Sequence, residues 1–185
     1  SMAAALGAGL PVFEATGSMV VNIGGGTCDV AVLSLGGIAA SKSIKGGGDA
    51  FDEAIVIHMK DKHDLLIGNN TAEDIKLKIG SANIYDGEAA MEVKGRNLTN
   101  GLPKSVEITS AEIREVLSVP VNEILDAIRE TLELTLPELA ADIIDKGIYL
   151  TGGACQLRGL ADLISKETGI AVHIPEKPTE CVALG

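Results

Sequence analysis

Aromatic residues are nearly absent from this chain: Phe, Tyr and Trp make up 2% of its 185 positions, and there is no Trp. With 46% hydrophobic residues a core must still form, so it has to be built from Ile, Leu, Val and Ala. Positive charge is scarce as well, and the 15 Lys and Arg against 26 Asp and Glu leave a net charge of −11. Nucleic acid and anionic lipid are therefore excluded as default partners, because both need clustered cations. The three cysteines, Cys28, Cys155 and Cys181, form no C-x-x-C pair, and His58, His63 and His173 stand at no ligand spacing from them. A structural zinc site is not expected, and a reduced, cytoplasmic compartment is. No apolar run reaches the roughly 18 residues of a spanning helix. The small apolar stretch from Ala3 to Val12 lacks the basic segment that opens a signal peptide.

Glycine, with 22 residues, is plentiful and clustered. Met19 to Ile23 and Cys28 to Leu33 read as two apolar strands joined by Gly24, Gly25, Gly26 and Thr27. Such a turn is either a plain hairpin or a nest of backbone N–H groups that holds an anion, with Thr27 adding a hydroxyl. Gly46 to Gly48 and Gly152-Gly153 also lie at element junctions, where anions bind and where ordinary turns occur. No Walker A loop is present, and Gly24 to Gly26 leads into a strand, which rules out a Rossmann fingerprint.

Periodicity supplies the remaining elements. Ile38 to Ile44 reads as a third antiparallel strand, and Asp49 as the N-cap of a helix with Phe51, Ile55 and Met59 on its buried face. Thr71 is expected to cap a short helix whose core side carries Ile75 and Ile79. Its other face carries Glu73 and Lys76, three residues apart and able to form an exposed ion pair. Residues 82–106 turn polar and glycine-rich, with short strands at Met91 to Val93 and Ser105 to Ile108. Thr109 to Glu112 fits a capping box ahead of a long helical pattern that Pro120 is expected to kink or split. Pro137 starts another helix, ended near Gly147. Ile148 to Thr151 and Ile170 to Ile174 then read as strands around a helix that runs through Leu157, Leu160 and Ile164. The alternation predicts an α/β fold with a mixed sheet covered by helices on both faces. The core spans 1–66 and 109–185, and 67–108 is read as a small inserted α/β subdomain.

The order V-V-x-I-G-G-G-T, G-G-x-D-x-F-D, E-x-x-K and L-T-G-G-A-x-x-L-x-G resembles the actin-like ATPase superfamily. Leu66-Ile-Gly, Ile79-Gly-Ser-Ala, Lys94-Gly-Arg-Asn-Leu and Pro137-Glu-Leu narrow the resemblance to the MreB/Mbl family of bacterial actins. It extends over nearly the whole chain and matches the second of that family's two lobes, whose core is ribonuclease H-like. The resemblance implies that Gly24, Gly25, Gly26 and Thr27 hold the β- and γ-phosphates of ATP or ADP. It implies that Glu73 and Lys76 flank the ribose and base, and that Gly152, Gly153 and Ala154 form the adenosine motif. Thr27 also matches a residue that positions the attacking water, while its partner Glu falls outside the chain. Asn22 replaces the family Asp that helps hold the Mg2+ shell, and an amide supplies no charge for a hard cation. Magnesium binding through water at Asn22 is therefore expected to be weak.

The implied parent is a filament protein. It assembles with copies of itself, organises cell-wall synthesis for rod shape and touches the membrane only through its first lobe. The lobe alone is not expected to hydrolyse ATP, since half of the phosphate-handling groups lie elsewhere. Three other readings remain open on the sequence: the ATPase lobe of a heat-shock-type chaperone, half of a sugar or acetate kinase, and a filament subunit that holds nucleotide without cycling it.

Overall fold

The computed structural model describes residues 1–185. A first helix, α1 (Met2–Gly7), precedes the meander β1 (Ser18–Ile23), β2 (Thr27–Ser34) and β3 (Gly37–Lys45). Helix α2 (Gly48–His63), the two-residue strand β4 (Leu65–Leu66) and α3 (Asn69–Ile79) follow. Then come β5 (Ala90–Asn97), β6 (Pro103–Thr109), α4 (Ser110–Glu133) and α5 (Pro137–Lys146). Strand β7 (Ile148–Thr151), a 3-10 turn (Gly153–Gln156), α6 (Leu160–Thr168), β8 (Val172–His173) and α7 (Cys181–Leu184) complete the chain.

The strands form two sheets, one of order β3-β2-β1-β7-β8 and one of order β4-β5-β6. In the first, β1 is antiparallel to β2 and parallel to β7, so the sheet is mixed as expected. Side chains alternate along the strands, and both faces of β1 and β2 are buried, whereas the edge strand β3 is largely exposed. Met19, Val21, Ile23, Val30 and Val32 join a large aliphatic cluster with Phe51, Ile113, Leu117 and Ile124. Val20, Ala31 and Leu33 face the other way, onto Ala4, Ala5, Leu10 and Val12. Phe51 is the one aromatic ring among the fully buried side chains, which places the sequence's shortage of aromatics in the core itself.

Several local expectations are corrected. Helix α2 starts one residue before Asp49, after Gly47 with φ +86°, so Asp49 lies in the first turn and caps nothing through its side chain. Thr71 likewise falls inside α3, whose cap position is Gly68. Pro120 does not split α4, which runs unbroken for 24 residues. The lost backbone hydrogen bond is outweighed by burial of Ile113, Leu117, Val121, Ile124 and Ile128 along one face. The strand expected from Ile170 to Ile174 shrinks to two residues, and β4 had no detectable signal at that length. The helix expected through Leu157 breaks there, and α6 begins only at Leu160.

Half of the capping box forms. Thr109 Oγ1 accepts from the Glu112 N–H at 3.3 Å. The Glu112 carboxylate does not return the bond. It reaches α2 instead, with one oxygen 2.7 Å from His58 Nε2 and 2.6 Å from His63 Nε2. Burial pushes the Glu112 carboxyl up, but hydrogen bonds and charge from His58, His63 and Lys62 outweigh it and bring it down to about 2.

A carboxyl depressed in the folded state contributes stability that is complete above its ordinary value of 4.5 and lost as pH falls through about 2. In chelator-treated protein, Glu112→Gln should therefore lower stability at neutral pH and flatten its decline across that acidic window. Urea melts at stepped pH measure this, and parallel wild-type and variant profiles would contradict it.

Candidate functional site

Two glycine turns that are separate in sequence form one structure here. In the β1–β2 turn, the Gly24 N–H closes on the Thr27 carbonyl at 3.0 Å. The carbonyls of Gly24, Gly25 and Gly26 accept from the N–H groups of Gly48, Asp49 and Gly46 at 3.0, 2.8 and 3.1 Å. The β3–α2 turn is thus laced onto the β1–β2 turn. Gly47 has to be glycine: a Cβ there would stand 2.1 Å from the Gly24 carbonyl oxygen, on a backbone with φ +86°. The Gly25 and Gly26 N–H groups have no acceptor in the protein. Beside them the first turn of α2 contributes the positive end of its dipole.

A third glycine turn closes the assembly. Gly152 (φ +86°) follows β7, and a Cβ there would meet the Ile23 carbonyl oxygen at 2.2 Å. The parallel pairing of β1 with β7 sets Asn22 beside Thr151, whose hydroxyl donates to Asn22 Oδ1 at 3.0 Å. On its other side Asn22 is paired with Asp29 of β2. Thr27 is exposed at the start of β2, with its hydroxyl 3.4 Å from Asp29 Oδ2.

These turns and α3 enclose a cleft of about 450 Å3, large enough for a nucleotide-sized ligand. Of the residues singled out from sequence, Gly24, Gly25, Glu73, Lys76, Gly153 and Ala154 line it. Gly26, Thr27, Gly152 and Asn22 lie in the turns and strand ends around it, outside the lining. The exposed Glu73–Lys76 ion pair does not form. Lys76 turns inward, with Nζ 2.8 Å from Asp52 Oδ1 on α2 and 3.5 Å from the Gly48 carbonyl. The Asp52 contact has ion-pair distance without hydrogen-bond alignment, so that oxygen still lacks a donor. Glu73 is left exposed at the rim, free of protein partners.

Asp49, expected only as a helix cap, and Asp52 and Arg158, for which no role was expected, also line the cleft. The two aspartates stand within G-G-x-D-x-F-D, Asp49 in the first turn of α2 and Asp52 one residue beyond it. Arg158, stacked 4.2 Å over the Tyr85 ring, carried no signal because its partner comes from a distant loop. Burial pushes the Cys28 and Cys155 thiols up to about 12, helped by Asp29 and Cys181 respectively. Both stay protonated at neutral pH, so neither acts as a nucleophile. The site therefore offers backbone donors, a lysine, an arginine and carboxylates, a set suited to holding an anionic ligand.

The family model described as MreB/Mbl protein matches residues 1–185. The cell shape-determining protein MreB of Escherichia coli K12 is 52% identical over 184 residues, covering 100% of this chain and 53% of that protein. The cell shape-determining protein Mbl of Bacillus subtilis 168 is 44% identical over 182 residues, covering 98% and 55%. The chain thus spans about half the length of the curated relatives it matches. The crystal structure of MreB5 of Spiroplasma citri bound to ADP superposes with a TM-score of 0.95 at 39% identity, over 99% of this chain and 56% of that one. The AMPPNP-bound form of the same protein gives 0.94 at 39% identity, over 99% and 55%. The MamK double helical filament, at TM-score 0.75 and 21% identity over 100% and 56%, shares the actin-like fold.

Gly47→Ala tests the lacing directly. Its strained backbone and the contact with Gly24 should cost about 1–3 kcal/mol, read as a lower urea midpoint at unchanged slope. A variant as stable as the wild type would mean that the two turns separate at no cost.

Proposed function

The chain belongs to the MreB/Mbl protein family, and on that premise we propose that it is the nucleotide-binding second lobe of a bacterial actin-like filament protein. The observation that carries this reading is the laced turn, with the unpaired N–H groups of Gly25 and Gly26 beside the start of α2. Phosphate oxygens are the natural acceptors for that arrangement. Across the cleft, Glu73 is free to accept from ribose hydroxyls, while Gly153 and Ala154 leave room against the base. Family membership sets aside the chaperone and kinase readings.

The donor set also bears on Mg2+. A Cβ on Gly25 would lie 3.7 Å from both Asp49 carboxylate oxygens, so a phosphate on this turn meets negative charge. A divalent cation bridging phosphate and solvent relieves that repulsion. Asn22 stands at the strand end below the turn, and its Oδ1 is already taken by the Thr151 hydroxyl. It can support the ion's water shell only as a neutral group. That observation favours a second reading, in which the filament subunit keeps its nucleotide as a structural ligand without cycling it. Thr27 is positioned to orient water, without a base in this chain to activate it.

In the parent, ATP binds between two lobes, copies assemble into filaments, and the filaments guide cell-wall synthesis to set rod shape. The parent is cytoplasmic and meets the membrane through its first lobe; within this chain no helix is long and apolar enough to cross a membrane. We further take 67–108 as an inserted subdomain on a core of 1–66 and 109–185. The separate β4-β5-β6 sheet supports an insertion here, although its first strand, Leu65–Leu66, falls just before residue 67.

Pelleting and electron microscopy of the intact parent, with and without Mg-ATP, test the proposal. ATP-dependent filaments are expected, and a soluble monomer under all conditions would overturn it. Asn22→Asp should restore charge to the magnesium shell and accelerate phosphate release from those filaments. The lobe by itself should release none. An unchanged rate in Asn22→Asp would remove Asn22 from the metal's environment.

A further inference from the structure

The far end of α2 carries a second cluster, unconnected with the cleft. Asp52 lines the cleft, and His63 lies eleven residues on, roughly 16 Å along the helix axis. There His58 Nε2, His63 Nε2 and Glu112 Oε1 all lie within 4.8 Å of one another. Their side chains are only 20%, 19% and 15% exposed, and the two imidazole rings meet edge to face with centroids 5.8 Å apart. No sequence motif marks this cluster: the two histidines stand five residues apart, and their third partner comes from another helix.

We infer that His58, His63 and Glu112 form a Zn2+ site that ties the C-terminal end of α2 to the first turn of α4. Two imidazole nitrogens and one carboxylate oxygen are a zinc donor set, with a fourth position left for water. In the metal-free protein Glu112 Oε1 accepts from both rings, at 2.7 and 2.6 Å. Tetrahedral ligands at zinc distances stand about 3.3 Å apart. The metal therefore enters by opening these contacts by about 0.7 Å and moving each ring proton to Nδ1. Two cations border the cluster. Lys62 Nζ lies 3.4 Å from Glu112 Oε1 on a side chain 60% exposed, so it can swing into solvent. Lys104 Nζ is held by the His63 carbonyl at 2.6 Å, on the backbone side of the ring.

The test uses the 185-residue chain, stripped with chelator and titrated with Zn2+ against a chromophoric chelator at about pH 7.5. One equivalent should bind, and Co2+ in its place should give the strong visible bands of a tetrahedral site. His58→Gln and His63→Gln should each weaken binding by more than about 100-fold, beyond the loss typical of removing an outer-shell partner. His173→Gln should leave it unchanged. Glu112→Gln keeps an oxygen for the rings to donate to, and should weaken binding while preserving the fold. If the histidine variants do not fold, 15N spectra of the wild-type imidazoles decide, with Zn2+ moving Nε2 of His58 and His63 and sparing His173. No binding below about 1 mM, or one equivalent that leaves His58 and His63 unmoved, overturns the site.

Discussion

The structure around the cleft depends on three backbone hydrogen bonds, from Gly46, Gly48 and Asp49 to the carbonyls of Gly26, Gly24 and Gly25. Each bond contributes modestly to stability, about 1 kcal/mol net. Their consequence is geometric. With the carbonyls of the first turn consumed, the N–H groups of Gly25 and Gly26 remain its unpaired polar atoms, and the start of α2 is directed at the same place. The close approach is possible only because Gly47 and Gly152 have no Cβ, each seated about 2 Å from a neighbouring backbone oxygen by the measure of an added carbon. Three glycine turns that would each be unremarkable in isolation become a single seat for an anion.

That interlock explains how legible the site was. Gly24, Gly25, Glu73, Lys76, Gly153 and Ala154 were named from the resemblance and do meet around one cleft. Without the resemblance, the same residues read as a hairpin, a set of turns and a surface ion pair. Lys76 shows why. Spacing on α3 offered Glu73 as its partner, whereas the packed structure offers Asp52 on α2, nearer and more buried. Tertiary pairing replaced the local one, and no helical periodicity could have announced it. The Arg158–Tyr85 stack had no sequence signal for the same reason.

The fold was read more fully than the site, because aliphatic alternation and helical spacing are local signals. The meander from Ser18 to Lys45, the buried faces of α2 and α4, and the glycine stops at Gly147 and Gly169 all followed from them. Where propensity and packing disagreed, packing prevailed: Pro120 lies in an unbroken helix because ten residues of α4 are buried. Where a cap residue competed with a glycine turn, as at Asp49 and Thr71, the turn set the helix start. Glu112 was expected to cap its own helix and instead reaches across to His58 and His63, an exchange of a local partner for a distant one.

The central claim is that the unpaired N–H groups of the laced turn receive phosphate. Amide spectra of the chain, recorded as ADP and Mg2+ are added, test it most directly. The account predicts shifts that begin at Gly25 and Gly26 and extend to Glu73, Gly153 and Ala154. Shifts absent from Gly25 and Gly26, or confined to the surface away from α2 and α3, would contradict it.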